Sequence, residues 1–460
     1  MTTLIRGRFV LTSSAAGPLR DAAVRVEGES IAEVGAWDEM QERHPAGEVV
    51  GDGSGIVLPG LVNTHGHFSE GLVTGMGETL TLLEWIQRLV APVAPHLTRR
   101  MATVGTLLRG AEMLASGVTT VNDLFVCSPR PHDPVTPGVV DGLEQLGVRG
   151  EVAFGAQDRN DPHPVDEIFA EHEALAAAAA ASRRCRFRLG IATVLAQSDE
   201  LFATSVRRAR ESGWRVHTHF HEAREEVVAS RQLHGLTTIG YAARSGLLNA
   251  EVLGAHCIWL TDHDIELLAE HRVRVAHNPI ANMILGSGVC PVRRLQAAGL
   301  HVGIGTDGPG SNDGQDMLEA LKVAALLQKV SQLDPTAMTA PEVLRMATLG
   351  GAQALGLDAV TGSLEAGKDA DIVLLDGQTP ALAVIHDPYQ AVVYCTTSRS
   401  VSDVWVQGER VLAGGRPTRI DLDAIIDEAR HLADGLVEAA GLHGDPLLVG
   451  PGAWGAAPRM

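Results

Sequence analysis

The residues able to do chemistry gather at four places in this 460-residue sequence. His65 and His67 stand two apart at the end of the run LPGLVNTHGH. Alternate residues of a strand point to one face, so the pair presents two imidazoles to a single point. A lone HxH is common; one that closes an apolar run opened by Pro-Gly is a more specific signal. The run VHTHFHE places His217, His219 and His221 on one face, with Glu222 directly after. His219 is assigned as a ligand, because Glu222 then falls three residues on, past the strand end. His217 is expected one layer deeper and His221 at the rim. His256 closes LGAHC, and Asp307 closes GIGTDGPGSND. An Asp before Gly usually caps a turn, but this one ends an apolar run. Each residue alone has an ordinary reading as packing or hydrogen bonding. Together, His65, His67, His219 and Asp307 offer three imidazoles and a carboxylate with a position left for water, as a catalytic metal requires. One divalent ion is expected, with Zn2+ the first choice; Fe2+ or Mn2+ accepts the same donors.

These side chains need a frame that brings distant strand ends together. From residue 58 to about 310 the sequence repeats a short apolar run, turn residues and a longer amphipathic stretch. The runs cover 57–67, 117–123, 148–156, 186–194, 215–221, 252–258, 272–280 and 301–308. Strands alternating with helices predict βα units and a parallel sheet. Eight units predict a (β/α)8 TIM barrel with its site at the C-terminal strand ends. Residues 1–57 and 362–420 carry short alternating strands and are read as one small β-sandwich domain formed by both termini. Residues 58–361 are assigned to the barrel, and 421–460 to a C-terminal helix and tail.

Composition bounds the function. Hydrophobic residues make up 45% and charged residues 20%, as in ordinary globular enzymes. No run reaches the roughly 20 apolar residues of a membrane helix, and the start reads as a strand rather than an export signal. A net charge of −19 argues against nucleic acid or an anionic membrane as partner. Five scattered cysteines without CxxC spacing fit reduced thiols, and a cytoplasmic location is expected.

Several of these motifs are long: HTHFHEAREEV, GAHCIWLTDHDIELL, AHNPIANMILGSGVCPVRRL, GIGTDGPGSND and GSLEAGKDADIVLLD. With LPGLVNTHGH they resemble the amidohydrolase superfamily, and within it the single-metal branch of cytosine deaminase, adenosine-type deaminases and triazine hydrolases. The resemblance implies metal ligation by His65, His67, His219 and Asp307. It implies a proton shuttle at Glu222, a His256 that orients the attacking hydroxide or polarises substrate, and a general base at Asp307. Other branches bridge two metals with a carboxylated lysine near the fourth strand. No lysine precedes Lys322 here, so one metal is expected.

The expected activity is that of a hydrolase acting on carbon–nitrogen bonds other than peptide bonds, an aminohydrolase replacing an amino group on an N-heterocycle. The alternatives are a triazine-type chlorohydrolase or alkylamino-hydrolase and, with eroded ligands, a non-catalytic assembly protein. Nucleoside deaminases of this family hold ribose through a Glu, an Arg and a His. The corresponding positions here are Ala94, Phe154 and Val194, so the expectation is a small heterocycle that is not a nucleoside. Phe154, Val194, Ala94 and Trp85, with Met76, are the expected pocket wall. His132 and His163 lie in the second and third βα loops, and the sequence leaves open whether they touch substrate or are merely exposed, as loop histidines more often are. The resemblance also carries the expectation of a homo-oligomer.

Overall fold

The computed structural model describes residues 2–13 and 17–448. All eight expected runs form strands: β1 (Leu61–Gly66), β2 (Val118–Phe125), β3 (Arg149–Phe154), β4 (Cys185–Thr193), β5 (Val216–Phe220), β6 (Val252–His256), β7 (Arg274–His277) and β8 (Val302–Ile304). They pair in chain order as one parallel sheet. A parallel bridge between Gly66 and Asp307 brings the last strand back to the first. Helices including Arg99–Ala115, Pro137–Leu146, Val165–Ala181, Asp199–Ser212 and Met317–Gln332 follow the strands and pack outside them. Their buried stripes close one continuous apolar layer with the sheet.

The floor of the barrel is charged. Glu151 on β3 and Arg188 on β4 are both fully enclosed and meet at 2.9 Å. Arg215 reaches the same carboxylate at 2.6 Å. This network sits at the N-terminal strand ends, opposite the histidines, and reads as a structural plug.

The two ends of the chain combine as expected into a separate β layer, built as one nine-stranded sheet. Thr2–Val10, Leu19–Glu27 and Ser30–Ala36 form its N-terminal part; Ile372–Leu375, Val401–Val406 and Glu409–Ala413 form its C-terminal part. Ile56–Pro59 joins the halves, pairing with both Thr2–Val10 and Ile372–Leu375. The chain crosses to the barrel at Gly60, where a Cβ would lie 2.0 Å from the Thr119 hydroxyl. Val57–Pro59 therefore belongs to the terminal sheet, not to β1. Leu422–Ala439 is helical and packs on Arg99–Ala115; the tail beyond Leu448 lies outside the described residues. All five cysteines are free. No helix among the described residues is long and apolar enough to cross a membrane.

Candidate active site

The barrel brings His65 of β1, His67 just after β1, His219 of β5, His256 at the end of β6 and Asp307 just after β8 to one point at the C-terminal strand ends. Ligand atoms of His65, His67 and Asp307 lie within 4.8 Å of one another, as do those of His65, His219 and His256 and those of Glu222, His256 and Asp307. Asp307 Oδ1 is 3.4 Å from His65 Nε2 and 3.3 Å from His67 Nε2, and His219 Nε2 is 3.2 Å from His67 Nε2. Donors arranged tetrahedrally at about 2.0–2.1 Å from an ion would be roughly 3.3 Å apart.

The ring orientations make the same case. Nδ1 of His67 donates to the Leu124 carbonyl at 2.5 Å, and Nδ1 of His219 to the Ala192 carbonyl at 2.6 Å. A neutral imidazole with its proton on Nδ1 keeps a lone pair on Nε2, so two lone pairs face each other. His65 Nε2 is buried and makes no hydrogen bond, while its Nδ1 lies 2.9 Å from His217 Nε2. Outer partners of this type fix a ligand's tautomer and aim it at a metal. The residues fit one divalent cation.

The local electrostatics agree. Burial disfavours a charge on His67, but Asp307 and Glu70 outweigh it and hold its pKa up at about 10. That field calls for a positive charge at Nε2, which a metal ion supplies in place of the proton. Burial lowers His65 to about 4 despite Asp307, and burial with neighbouring imidazoles lowers His219 well below its usual range. Burial and the negative charges of Asp307 and Glu226 push Glu222 well above the usual carboxylic range.

Backbone strain concentrates here. His221, His256 and Asp307 have φ of +51°, +68° and +68°, a region that costs non-glycine residues about 1–3 kcal/mol each. His256 ends a barrel strand and His221 and Asp307 follow one closely, and the turn aims the side chain. His256 Nδ1 donates to Asn282 Oδ1 at 2.8 Å, leaving Nε2 3.4 Å from Glu222 and 3.6 Å from Asp307. His217 lies a layer below, under His65. His221 is fully buried behind the strand end without a hydrogen-bond partner, rather than at the rim.

A cavity of about 530 Å³ opens above these groups. Trp85 lines it and donates through Nε1 to the Gly310 carbonyl. Ala94, Phe154 and Val194 do not line it. Phe154 packs on His172 toward the outer helix, and Val194 turns away between two lining residues, Thr193 and Leu195. Met76 packs on the core. His163 bonds Asp161 within its own loop, and His132 is exposed. Polar lining comes instead from Gln87, Gln157, Asn160, Thr193 and Glu70.

Glu70 was not foreseen. One carboxylate oxygen accepts from Gly310 N–H at 3.0 Å. The group rests against Gly308, where a Cβ would lie 1.9 Å from it. Burial, with Asp307 nearby, raises its pKa to about 7 against the pull of His67. Ala94 and Glu70 line the same small void beside the main cavity. Asp123 was also missed; it accepts from Phe68 N–H at 2.7 Å and anchors the turn after His67.

The model of the amidohydrolase family matches residues 56–411. A 5'-deoxyadenosine deaminase of Methanosarcina mazei is 33% identical over 437 residues, 94% of this chain and 98% of its own. A 5-methylthioadenosine/S-adenosylhomocysteine deaminase of Desulforudis audaxviator is 36% identical over 442 residues, 95% and 100% of the two chains. Among solved structures, an adenosine deaminase from Xanthomonas campestris with bound zinc superposes with a TM-score of 0.88 at 31% identity, covering 95% of this chain and 98% of that one. Relatives with these names overturn the expectation that the substrate is not a nucleoside. That expectation rested on apolar residues at 94, 154 and 194, which do not form the wall, whereas polar side chains do. The chain belongs to the amidohydrolase family and is a hydrolase acting on carbon–nitrogen bonds.

Proposed function

We propose that this enzyme hydrolyses the amino group from the six-membered ring of an adenosine-type nucleoside, releasing ammonia. The observation that carries the reading is a buried Glu222 set 3.4 Å from His256 and close to Asp307, at the end of a cavity also lined by Gln87, Gln157 and Asn160. His65, His67, His219 and Asp307 would hold one divalent ion, zinc by its match to three imidazoles and a carboxylate. When bound, that ion lowers the pKa of water at the site toward neutrality.

The chain's own residues do the rest. Asp307 takes a proton from the attacking water as general base. His256, its Nδ1 proton committed to Asn282, accepts a hydrogen bond from that water at Nε2 and aims its oxygen at the amino-bearing carbon. Glu222 gives its proton to the ring nitrogen next to that carbon. The C–O bond forms and the ring nitrogen takes the displaced electron pair; the amino group then takes the proton held on Asp307, the C–N bond breaks to release ammonia, and the new hydroxyl returns its proton to Glu222 as the ring carbonyl forms. Glu70 is placed to accept from a sugar hydroxyl, because a 5'-deoxynucleoside offers no other donors than its 2'- and 3'-hydroxyls and the departing amine.

The test is ammonia release from a panel of nucleosides and their free bases by zinc-loaded protein. Adenosine-type nucleosides turning over at least tenfold faster than adenine is the expected result. Release from free bases alone, or of chloride or alkylamine only, would refute the proposal.

A further inference from the structure

One wall of the cavity has no sheet to hold it. Residues 72–97 leave the barrel after β1 and supply Leu82, Trp85, Ile86, Gln87 and Val90 to the lining. Their regular structure comes in short pieces: Leu82–Trp85 runs into a π-helical turn, Ile86–Val90, and two further single turns follow. Helical pieces this short are marginal on their own. Contacts from outside the segment must therefore fix the wall.

The loop after β8 supplies two of them. Gly75 N–H donates to Asp313 Oδ1 at 2.6 Å, and Trp85 Nε1 donates to the Gly310 carbonyl at 3.0 Å. The others come from the far end of the chain. Gly77, at a φ of +84°, donates its N–H to the Leu448 carbonyl at 2.9 Å. Arg88, inside the π-helical turn, meets Asp445 at 3.2 Å. The buried Leu448 side chain closes on the same spot: a Cβ on Gly77 would lie 3.1 Å from Leu80, 3.3 Å from Trp85 and 3.7 Å from Leu448.

The sequence shapes this end of the chain for the task. Asp445-Pro446-Leu447-Leu448 is a tight turn, with Asp445 Oδ1 accepting from Leu447 N–H at 2.9 Å and the Asp445 carbonyl from Leu448 N–H at 3.1 Å. Asp at the first position and Pro at the second both favour such a turn. Upstream, Leu422–Ala439 packs on Arg99–Ala115, and Leu436 and Leu442 are buried. The turn is thus delivered from a base seated on the barrel.

We infer that the turn Asp445–Leu448 is a clasp that positions the substrate-binding wall, Leu448 acting through Gly77 and Trp85 and Asp445 through Arg88. Neither Leu448 nor Asp445 lines the cavity. Their loss would change how far the wall is formed before substrate arrives, while Glu222, His256 and Asp307 stay where they are. A wall that must be ordered during binding takes that ordering out of the affinity. KM therefore rises and kcat holds. The nucleoside reading enters only through the substrate chosen for the assay.

The experiment places Leu448→Ala and Leu448→Met in the zinc-loaded full chain. It follows amide hydrogen exchange by mass spectrometry, together with kinetics on 5'-deoxyadenosine. In Leu448→Ala, exchange across residues 72–90 is expected to quicken by about tenfold, with the barrel strands changed less than about twofold. KM is expected to rise by about tenfold, with kcat within about threefold of wild type. Leu448→Met, which refills the space, should return exchange and KM to within about threefold. Arg88→Ala should give the same pattern at a smaller size, because its ion pair is partly exposed. Unchanged exchange across 72–90 in Leu448→Ala would overturn the inference. So would a loss of kcat at constant KM, or faster exchange spread over the whole barrel. If wild type deaminates no nucleoside, the nucleoside reading fails, and exchange alone then decides the clasp.

Discussion

Nε2 of His67 and Nε2 of His219 face each other across 3.2 Å, and each ring has given its Nδ1 proton to a backbone carbonyl. Two lone pairs this close need a positive charge between them: a proton on His67 Nε2, which Asp307 and Glu70 favour, or a metal ion in its place. In His219→Ala, metal content measured by atomic emission should fall from one equivalent to below about 0.1, and turnover should fall with it. The metal-free forms of variant and wild type should melt within a few degrees of each other, since His219 is a small part of the barrel core. A variant that binds a full equivalent and turns over normally would refute the ligand assignment.

Glu222 is a buried acid whose proton the chemistry needs. Glu222→Gln keeps the shape and removes the transferable proton, so kcat should drop by about 100- to 10,000-fold, the usual worth of general acid–base catalysis. Metal content should stay at one equivalent. A Gln variant with kcat within threefold of wild type would place the proton donor elsewhere.

Glu70 gives a prediction that separates sugar recognition from chemistry. Above pH 7, where Glu70 is mostly ionised, wild type should prefer 5'-deoxyadenosine over its 2',3'-dideoxy analogue by about 10- to 100-fold, the equivalent of one hydrogen bond to a charged group at about 1.5–3 kcal/mol. Glu70→Ala should erase that preference by raising KM for the ribose substrate only. If the preference survives, another group reads the sugar.

His172 supplies a pH effect far from the site. It is enclosed by Phe154, Phe169 and Phe187, has no hydrogen-bond partner, and burial lowers its pKa to about 3. The unfolded chain binds a proton there below about pH 6.5, whereas the folded chain does not until about pH 3. Unfolding therefore gains stability as pH falls through that window, at up to about 1.4 kcal/mol per pH unit from this residue. In His172→Phe that increment disappears. Denaturant unfolding of metal-free wild type and variant between pH 7 and 5 should diverge progressively, and parallel curves would contradict the assignment.

What the sequence made legible follows from local pattern. Eight apolar runs ending in His, Asp or turn residues carried enough information to place the barrel and to bring His65, His67, His219, His256 and Asp307 together. The wall was not legible, because sidedness on a strand flips with a one-residue slip. Phe154 ends β3 facing the outer helix, where it meets His172, and the 3-10 turn Val194–Ala196 rotates Val194 away from Thr193. Glu70 and Asp123 gave no periodic signal; only the fold sets Glu70 against Gly308 and Gly310. His221, buried with a positive φ, looks from its spacing like any alternate strand residue.

The central claim is one metal ion per chain serving nucleoside deamination, and a titration tests it most directly. Metal-stripped protein should be titrated with Zn2+ while the conversion of 5'-deoxyadenosine is followed by ultraviolet absorbance. The account predicts no turnover without metal and a rise that saturates at one equivalent per chain. Full turnover in metal-stripped protein, or a rise that continues to two equivalents, would contradict it.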